Sequence, residues 1–255
     1  MRPTQAGIGR PHRHFRLTDS TNERAKELAL AGAPGGLIVT ADEQTAGRGR
    51  RGHSWFGPPG TSLLYSALVR PFGGDPLLAL AVPLAVCEAA ESLTDVRCQV
   101  KWPNDVWVEN RKLAGALVEA QPAPHIPAGE AEEMGGDAGW AVIGIGLNVT
   151  VSTSDFPPEL SETATSLAIA SGEPDLPVAE ALAAVNEGLT RWAGAEAKAV
   201  ISAFRDRDAL AGRRISWAGG EGVAAGIDES GHLLVETSAG ERTALGAGEV
   251  HLSVG

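Results

Sequence analysis

The stretch KWPNDVWVENRKLAGALVE, residues 101–119, predicts a β-hairpin. Residues 106–108 and 113–119 are rich in strand-forming side chains, and the polar segment 109–112 separates them. Other strand-like runs lie on both sides of it, at 37–41, 63–70 and 140–147, and helical patterns lie at 25–30, 75–93, 178–197 and 200–210. The chain is therefore predicted to contain an α/β domain.

A helix start is predicted at Ser20. Ser20 precedes an apolar helical pattern and is followed three residues later by Glu23, which is the spacing of a capping box. Ser20, Thr21 and Asn22 are also three small polar side chains in a row, so a ligand-binding role stays open beside the capping role.

The character of the chain changes at Gly212. Short β-rich segments at 214–217, 223–227, 233–237 and 242–245 are separated by glycine-containing turns, as in a small antiparallel barrel or sandwich. We therefore expect two domains, residues 1–211 and residues 212–255.

Composition limits the classes of function. The formal net charge of −11 disfavours general binding to nucleic acid or to an anionic membrane surface, because both depend on accumulated positive charge. Two cysteines give no disulfide framework, and we find neither a signal peptide nor a membrane-spanning run. A cytoplasmic location is expected, and residues 121–139, rich in Pro, Gly, Ala and Glu, are expected to form a surface loop.

The segment GRGRRGH, residues 47–53, predicts an anion-binding loop. Glycines let backbone amides approach an anion, and the guanidinium groups of Arg48, Arg50 and Arg51 can bind phosphate or carboxylate through paired hydrogen bonds. A Walker A loop is rejected because no helix pattern follows. A solvated flexible loop is the alternative.

Two lysines flank the predicted hairpin. Lys101 and Lys112 could direct their ammonium groups at one ligand, and Asp105 could hold a cationic partner or a metal ion. The alternative is a simple turn with surface charges. Gly115, inside a strand, indicates the close approach of a ligand or of neighbouring backbone.

The segment GIGLNV, residues 144–149, is similar to part of a dinucleotide-binding fingerprint. Val149 stands where the third glycine is needed, and no helix pattern follows, so a Rossmann fold is disfavoured. The small residues next to Asn148 could still admit an adenine or a ribose.

Taken together, these motifs resemble the biotin protein ligase family. They are STN from residue 20, EQTAGRGRRGHSW from 43, KWPND from 101, KLAGALVE from 112 and GIGLNV from 144. The resemblance is dense over residues 17–150 and implies a mixed-sheet, class II synthetase-like α/β (α+β) catalytic domain with a small C-terminal SH3-like β-barrel. Because few residues precede the motifs, we expect this sequence to lack the DNA-binding domain that some members carry.

The resemblance implies an ATP-dependent ligase that activates biotin to biotinyl-5'-AMP and transfers it to a lysine of a biotin carboxyl carrier domain. Its implied partners are biotin, ATP and the carrier domain of a biotin-dependent carboxylase such as acetyl-CoA carboxylase, with Mg²⁺ as cofactor. Neither nucleic acid nor a membrane is expected as a partner, and a homodimer is left open. A lipoate-type ligase and a non-catalytic biotin or nucleotide sensor are the alternatives.

The resemblance also implies roles for individual residues. Lys112, Arg50 and Lys101 are the expected catalytic residues, and Asp105 is the expected Mg²⁺ ligand. Biotin recognition is expected from Ser20, Thr21, Asn22, Gln44, Gly47, Arg48 and Gly115, and nucleotide recognition from Arg50, Arg51, Trp55 and Asn148. His53 departs from the family, which often has arginine there.

Overall fold

A seven-stranded sheet forms the centre of the protein in a computed structural model that describes residues 7–121, 139–246, 248 and 250–252. Its strands are β1 His12–Thr18, β2 Ile38–Gln44, β3 Ser62–Val69, β4 Gln99–Lys101, β5 Asp105–Val108, β6 Arg111–Gln121 and β7 Trp140–Asn148. The order across the sheet is β1-β2-β3-β7-β6-β5-β4. Because β1 and β2 run parallel while the other neighbours are antiparallel, the sheet is mixed, as the resemblance implies.

The hairpin expected within residues 101–119 is formed by β5 and β6. The two residues that connect these strands, Glu109 and Asn110, have φ of 51° and 64°. Positive φ at both positions is what a tight hairpin turn of type I′ requires. Strand β6 begins at Arg111, before the predicted start at residue 113.

The described residues form five helices: α1 Thr21–Leu30, α2 Leu78–Leu93, α3 Leu167–Ser171, α4 Val178–Trp192 and α5 Ala197–Asp206. Of these, α1, α2 and α4 contact strands of this sheet. Helix α1 buries Ala25 and Ala29 in a cluster with Val39 of β2 and Val142 of β7. Helix α2 is apolar almost all round because it lies between the sheet and α4. Pro83 lies within α2 without ending it.

The capping box predicted at Ser20 is wrong. Ser20 is the N-cap residue of α1, but its side chain makes no capping hydrogen bond. The Glu23 carboxylate is engaged elsewhere, in an ion pair with Lys26 at 2.7 Å. The Ser20 hydroxyl therefore does not satisfy the first turn of the helix.

Strand β1 was not predicted. Its sequence, HRHFRLT, is mostly polar because β1 lies at the sheet edge, where all of its side chains are at least partly exposed. Short strand β4 and helix α3 also escaped prediction, since three to five residues carry too little periodicity.

A second sheet of five antiparallel strands follows α5. It contains β8 Arg214–Trp217, β9 Gly220–Ile227, β10 Leu233–Glu236, β11 Arg242–Leu245 and β12 His251–Leu252, in the order β11-β10-β9-β8-β12. The antiparallel β character predicted after Gly212 is confirmed, whereas closure into a barrel and the boundary at 212 stay predictions. The buried indole N–H of Trp102 donates to the Gly231 carbonyl at 3.0 Å and joins this sheet to the β4–β5 turn.

Two further expectations from the sequence concern the loop at 121–139 and membrane-spanning helices. The loop predicted at 121–139 falls mainly on residues 122–138, which lie outside the described residues. Across the described part of the chain, no helix combines the length and the apolar character needed to cross a bilayer.

Candidate active site

A cavity of about 280 Å³ lies beside the start of α1, where the 47–55 loop, the β4–β5 turn and strands β6 and β7 meet. It collects most of the residues singled out from the sequence. Those that line it are Ser20, Thr21, Asn22, Gln44, Arg48, Arg50, Arg51, Trp55, Lys101, Asp105, Lys112 and Gly115. Gly47 and Asn148 do not line it.

Three glycines shape the cavity wall formed by β6 and β7. Gly115 and Gly146 are register partners across the two strands, and Gly144 lies two residues from Gly146 on the same face. A Cβ at Gly146 would overlap the indole of Trp55, and a Cβ at Gly144 would overlap the amide of Asn22. The glycines of GIGLNV therefore seat two side chains of the protein itself.

Gly115 has a similar role. A Cβ there would lie 3.1 Å from Lys112 Cε and 3.3 Å from Trp55 Cζ3. The close approach expected at Gly115 is thus present, but side chains rather than backbone make it.

Gly47 closes the base of the arginine-containing loop. A Cβ at this position would lie 2.9 Å from the Trp55 carbonyl oxygen, and the Trp55 amide donates to the Gly47 carbonyl at 3.0 Å. Arg48 and Ser54 are paired across the loop, and Arg51 takes a left-handed backbone conformation with φ of 52°. Gly47 therefore acts through the loop and not as part of the cavity wall.

Two arginines of the loop, Arg48 and Arg50, differ in their surroundings. The Arg48 guanidinium is ion-paired with Glu23 and lies 3.7 Å from Glu119. Arg50 donates to Asn104 Oδ1 at 3.1 Å and to the Gly248 carbonyl at 3.5 Å. Arg48 is thus directed at the acidic groups near α1, whereas Arg50 faces the β4–β5 turn.

Both predicted lysines line the cavity. Lys112 Nζ lies 2.8 Å from Asp105 Oδ1 and 5.8 Å from the centre of the Trp55 ring. Lys101 Nζ lies 5.3 Å from the centre of the Trp107 ring. Asp105 is therefore the carboxylate that orients the Lys112 ammonium.

A chain of hydrogen bonds forms the polar wall of the cavity. Gln44 Oε1 accepts from the Thr21 amide at 2.7 Å and from the Thr21 hydroxyl at 3.1 Å. Ser66 Oγ lies 2.9 Å from Thr21 Oγ1 and donates to Asn22 Oδ1 at 2.6 Å. We call Thr21, Asn22, Gln44 and Ser66 the polar wall.

Sequence reasoning missed two residues that support the cavity. Ser66 is a fully buried hydroxyl in the mostly apolar strand β3, and a buried polar group in such a run needs a partner. Asn104 accepts from Arg50 and donates to the Ala116 carbonyl at 2.7 Å, so it links the loop to β6. The presence of Ser66 within a mostly apolar run could have been recognised from the sequence.

The expectation that Asn148 lies on the adenine side of the site finds no support in its position. Its amide donates to the Thr165 carbonyl at 2.9 Å, and its oxygen lies 3.3 Å from Ser62 Oγ. Asn148 is buried, and these bonds tie β7 to its neighbours.

A magnesium ion would need carboxylate oxygens at the cavity. No group of three or more His, Cys, Asp or Glu side chains in the described part of the chain could hold a metal by itself. Asp105 is the one carboxylate among the described cavity residues. Since Mg²⁺ bound with phosphates uses only one or two protein carboxylates, Asp105 fits such an ion only together with a nucleotide.

The fold and the cavity define a class of α/β protein in which an arginine- and glycine-containing loop borders a cavity lined by lysine and arginine side chains. The chain is 31% identical to the biotin--[acetyl-CoA-carboxylase] ligase of Paracoccus denitrificans over 91% of this chain and 97% of that protein. It is 30% identical to the ligase of the same name from Mycobacterium tuberculosis, over 91% of this chain and 85% of that protein. The chain belongs to the biotin protein ligase family.

Family models and solved structures agree with this membership. Residues 14–128 match the biotin/lipoate A/B protein ligase family, and residues 220–253 match the biotin protein ligase C terminal domain. The biotin protein ligase of Aquifex aeolicus in complex with biotin and ATP is 27% identical, with a TM-score of 0.75 over 96% of this chain and 100% of that one.

Other relatives are longer than this chain. The bifunctional ligase/repressor BirA of Bacillus spizizenii is 39% identical over 62% of this chain, but the match spans only 46% of that protein. The chain thus matches less than half the length of such relatives.

Proposed function

We propose that this protein is an ATP-dependent biotin protein ligase, which activates biotin to biotinyl-5'-AMP and transfers it to a lysine of a biotin carboxyl carrier domain. One observation carries the proposal: a single cavity joins the polar wall, suited to a neutral ring, to the ammonium and guanidinium groups of Lys112, Lys101 and Arg50. Biotin fits such a cavity, because it combines a neutral ureido ring with a distant carboxylate. The named ligases of P. denitrificans and M. tuberculosis support the same activity.

The ureido ring would bind at the polar wall. A ureido group has two N–H donors and one carbonyl acceptor, so it needs both kinds of partner. Thr21, Asn22 and Gln44 provide hydroxyl and amide groups at the cavity, and Ser20 and Arg48 flank them. Gly115 keeps the adjoining wall free of a side chain.

Lys112 and Arg50 would hold the carboxylate of biotin and the α-phosphate of ATP together. These two anionic groups repel one another, so cations on either side are needed to bring them into line. A carboxylate oxygen then attacks the α-phosphorus, and the bond to pyrophosphate breaks. We assign Lys112 the leading catalytic role and Lys101 a supporting role at the phosphates.

The second step needs no nucleophile from the ligase. The amine of the carrier lysine attacks the acyl carbon of biotinyl-5'-AMP, an amide forms, and AMP leaves with the bonding electrons. Arg50 and Arg51 remain near the phosphate, and Trp55 provides an aromatic surface at the nucleotide side. A closed loop over the adenylate would exclude water, which otherwise hydrolyses the mixed anhydride.

Asp105 would hold Mg²⁺ together with the ATP phosphates, where the ion would neutralise phosphate charge. The same carboxylate binds Lys112. We further assign residues 1–211 to catalysis and residues 212–255 to a small C-terminal domain.

Biotin-dependent exchange between ATP and pyrophosphate tests the first step, and incubation with a carrier domain and either biotin or lipoate tests the second. We expect exchange with biotin and attachment of biotin alone. Attachment of lipoate alone would assign the protein to the lipoate-type ligases. Biotin binding without exchange would make it a non-catalytic sensor.

A further inference from the structure

Glu119, near the end of β6, lies between the polar wall and the arginine-containing loop. Its Oε2 accepts from Asn22 Nδ2 at 2.9 Å, and its Oε1 lies 3.1 Å from Lys26 Nζ. The same Oε1 lies 3.7 Å from the Arg48 guanidinium. Glu119 does not line the cavity itself, so any influence on a ligand must pass through these neighbours.

The Glu119 carboxylate is ionised at neutral pH. Its partial burial acts to raise the pKa, but hydrogen bonds from Asn22 and Lys26 and the charges of Lys26 and Arg48 outweigh burial and lower the pKa. An ionised carboxylate can only accept hydrogen bonds. The group that faces it must therefore be a donor.

This requirement fixes which way the Asn22 amide points. Its NH₂ group faces Glu119, so its oxygen faces Ser66 and takes the Ser66 hydroxyl proton. The Ser66 oxygen also lies 2.9 Å from Thr21 Oγ1, whose own hydroxyl proton goes to Gln44 Oε1. Glu119 thereby sets the direction of hydrogen bonding at one end of the polar wall.

The other end of the polar wall is set by backbone. The Thr21 amide can only donate, and it donates to Gln44 Oε1, which leaves Gln44 Nε2 as a donor. The polar wall is thus held between an obligatory acceptor, Glu119, and an obligatory donor, the Thr21 N–H. A neutral residue at position 119 would remove the first constraint.

We propose that Glu119 is a positioning residue for biotin recognition: it fixes the orientation of the Asn22 amide and couples the polar wall to Arg48 of the arginine-containing loop. This inference rests on the proposed ligase function. Glu119 contacts neither the substrate nor the reacting atoms, and its effect is on the arrangement of donors and acceptors that the ureido ring meets.

The test is Glu119→Gln, which keeps the size of the side chain but is no longer only an acceptor. We expect the KM for biotin to rise about tenfold or more, the loss expected when a hydrogen bond to a charged group is removed. The KM for ATP should change by less than about twofold, because Lys101, Lys112 and Arg50 are untouched. Thermal unfolding is measured on the same samples.

The matched control is Glu91→Gln. Glu91 is also a partly buried carboxylate that binds an arginine, Arg207, at 2.6 and 2.7 Å, but it lies outside the cavity. We expect this variant to lower the melting temperature without changing the KM for biotin. Equal rises in both KM values for Glu119→Gln, with a similar loss of melting temperature, would show a merely structural role and overturn the proposal.

A rescue experiment tests the direction of the hydrogen bond. Asn22→Asp alone places two carboxylates against each other and should lose biotin binding. Adding Glu119→Gln lets residue 119 donate to residue 22, so the double variant should bind biotin more tightly than Asn22→Asp. A double variant no better than Asn22→Asp would count against the proposal.

Two further outcomes keep the proposals separate. If Glu119→Gln does not fold, Ser66→Ala is tested in its place. This variant removes the hydroxyl that donates to the Asn22 oxygen, so the inference requires the KM for biotin to rise. An unchanged KM for biotin overturns the inference. If the unaltered protein lacks biotin-dependent exchange, the proposed function itself fails. Normal exchange with an unchanged biotin KM in Glu119→Gln overturns only the role of Glu119.

Discussion

The side-chain amide of Asn22 lies so close to the Cα of Gly144 that a methyl group on Gly144 would overlap it. Trp55 has the same relationship with Gly146. Since both glycines are on one face of β7, a short glycine-containing segment of a central strand determines where two cavity side chains can lie.

Gly144→Ala should displace Asn22 and weaken the binding of biotin. Forcing an extra carbon into a packed site costs about 1–3 kcal/mol, which corresponds to a roughly tenfold or greater loss of affinity if it falls on the bound state. Calorimetric titration with biotin measures it. Gly73→Ala is the control, because nothing lies within 4 Å of a Cβ there. Equal affinities in the two variants would contradict the prediction.

Lys112→Met should slow formation of biotinyl-5'-AMP. The substitution keeps an unbranched side chain but removes the ammonium, and losing one charge-stabilising donor typically lowers kcat by about 10²–10³. Single-turnover adenylate formation is the measurement. Lys198→Met, at an exposed position on α5, is the control and should retain the unaltered rate. Full activity in Lys112→Met would remove Lys112 from the mechanism.

Trp102→Phe should destabilise the protein by about 1–3 kcal/mol, because it leaves the buried Gly231 carbonyl without its donor. Urea unfolding gives the difference. Trp192→Phe is a matched control, since the buried Trp192 Nε1 has no hydrogen-bond partner among the described residues. We expect the free energy of unfolding to fall less in Trp192→Phe than in Trp102→Phe. A larger fall in Trp192→Phe would show that the Trp102–Gly231 hydrogen bond contributes little to stability.

Glu91 should contribute stability at neutral pH that is lost in acid. Burial acts to raise its pKa, but hydrogen bonds from Arg207 and the Cys98 amide outweigh this and lower the pKa below 4.5, its ordinary value. For a depressed pKa the contribution is complete above the unfolded-state value and disappears as pH falls through the folded-state value. We therefore compare the free energies of unfolding of the unaltered protein and of Glu91→Gln in urea. Their difference should be constant near neutral pH and should become smaller below pH 4.5.

The control for this series is Glu229→Gln, which removes an exposed ion pair with Arg205. Its effect on stability should be small, because surface pairs contribute little. A difference between Glu91→Gln and the unaltered protein that does not narrow in acid would contradict the assigned pKa shift.

Elements with a strong local pattern were predicted well. The hairpin of β5 and β6, strand β7 and helix α4 carry apolar residues at the spacing that their burial needs. Strand β1 escaped because an edge strand has no buried face to impose that spacing. The cap at Ser20 was wrong because its motif is local, whereas Lys26 and Arg48 engage Glu23 instead.

In the candidate site, too, local patterns revealed some residues, whereas contacts between distant residues decided the roles of others. The sequence alone marked Lys101, Lys112, Asp105 and the arginines, since charge, glycine and turn signals are concentrated within a few residues. It predicted that Asn148 lies beside the nucleotide, but a residue's neighbours in the folded chain decide whether its amide is available. Here Thr165 and Ser62 occupy it.

The amino-acid sequence by itself determined the kind of chemistry, because clustered cations among glycines can hold anions wherever the chain places them. It also determined the order of the motifs, which can be seen directly along the chain. Only the tertiary structure decided that Glu119 meets Asn22, 97 residues away, and that Trp55 lies on Gly146. The physical reason is that such contacts depend on strand register and packing. Both arise from the burial of the whole core, which no local pattern specifies.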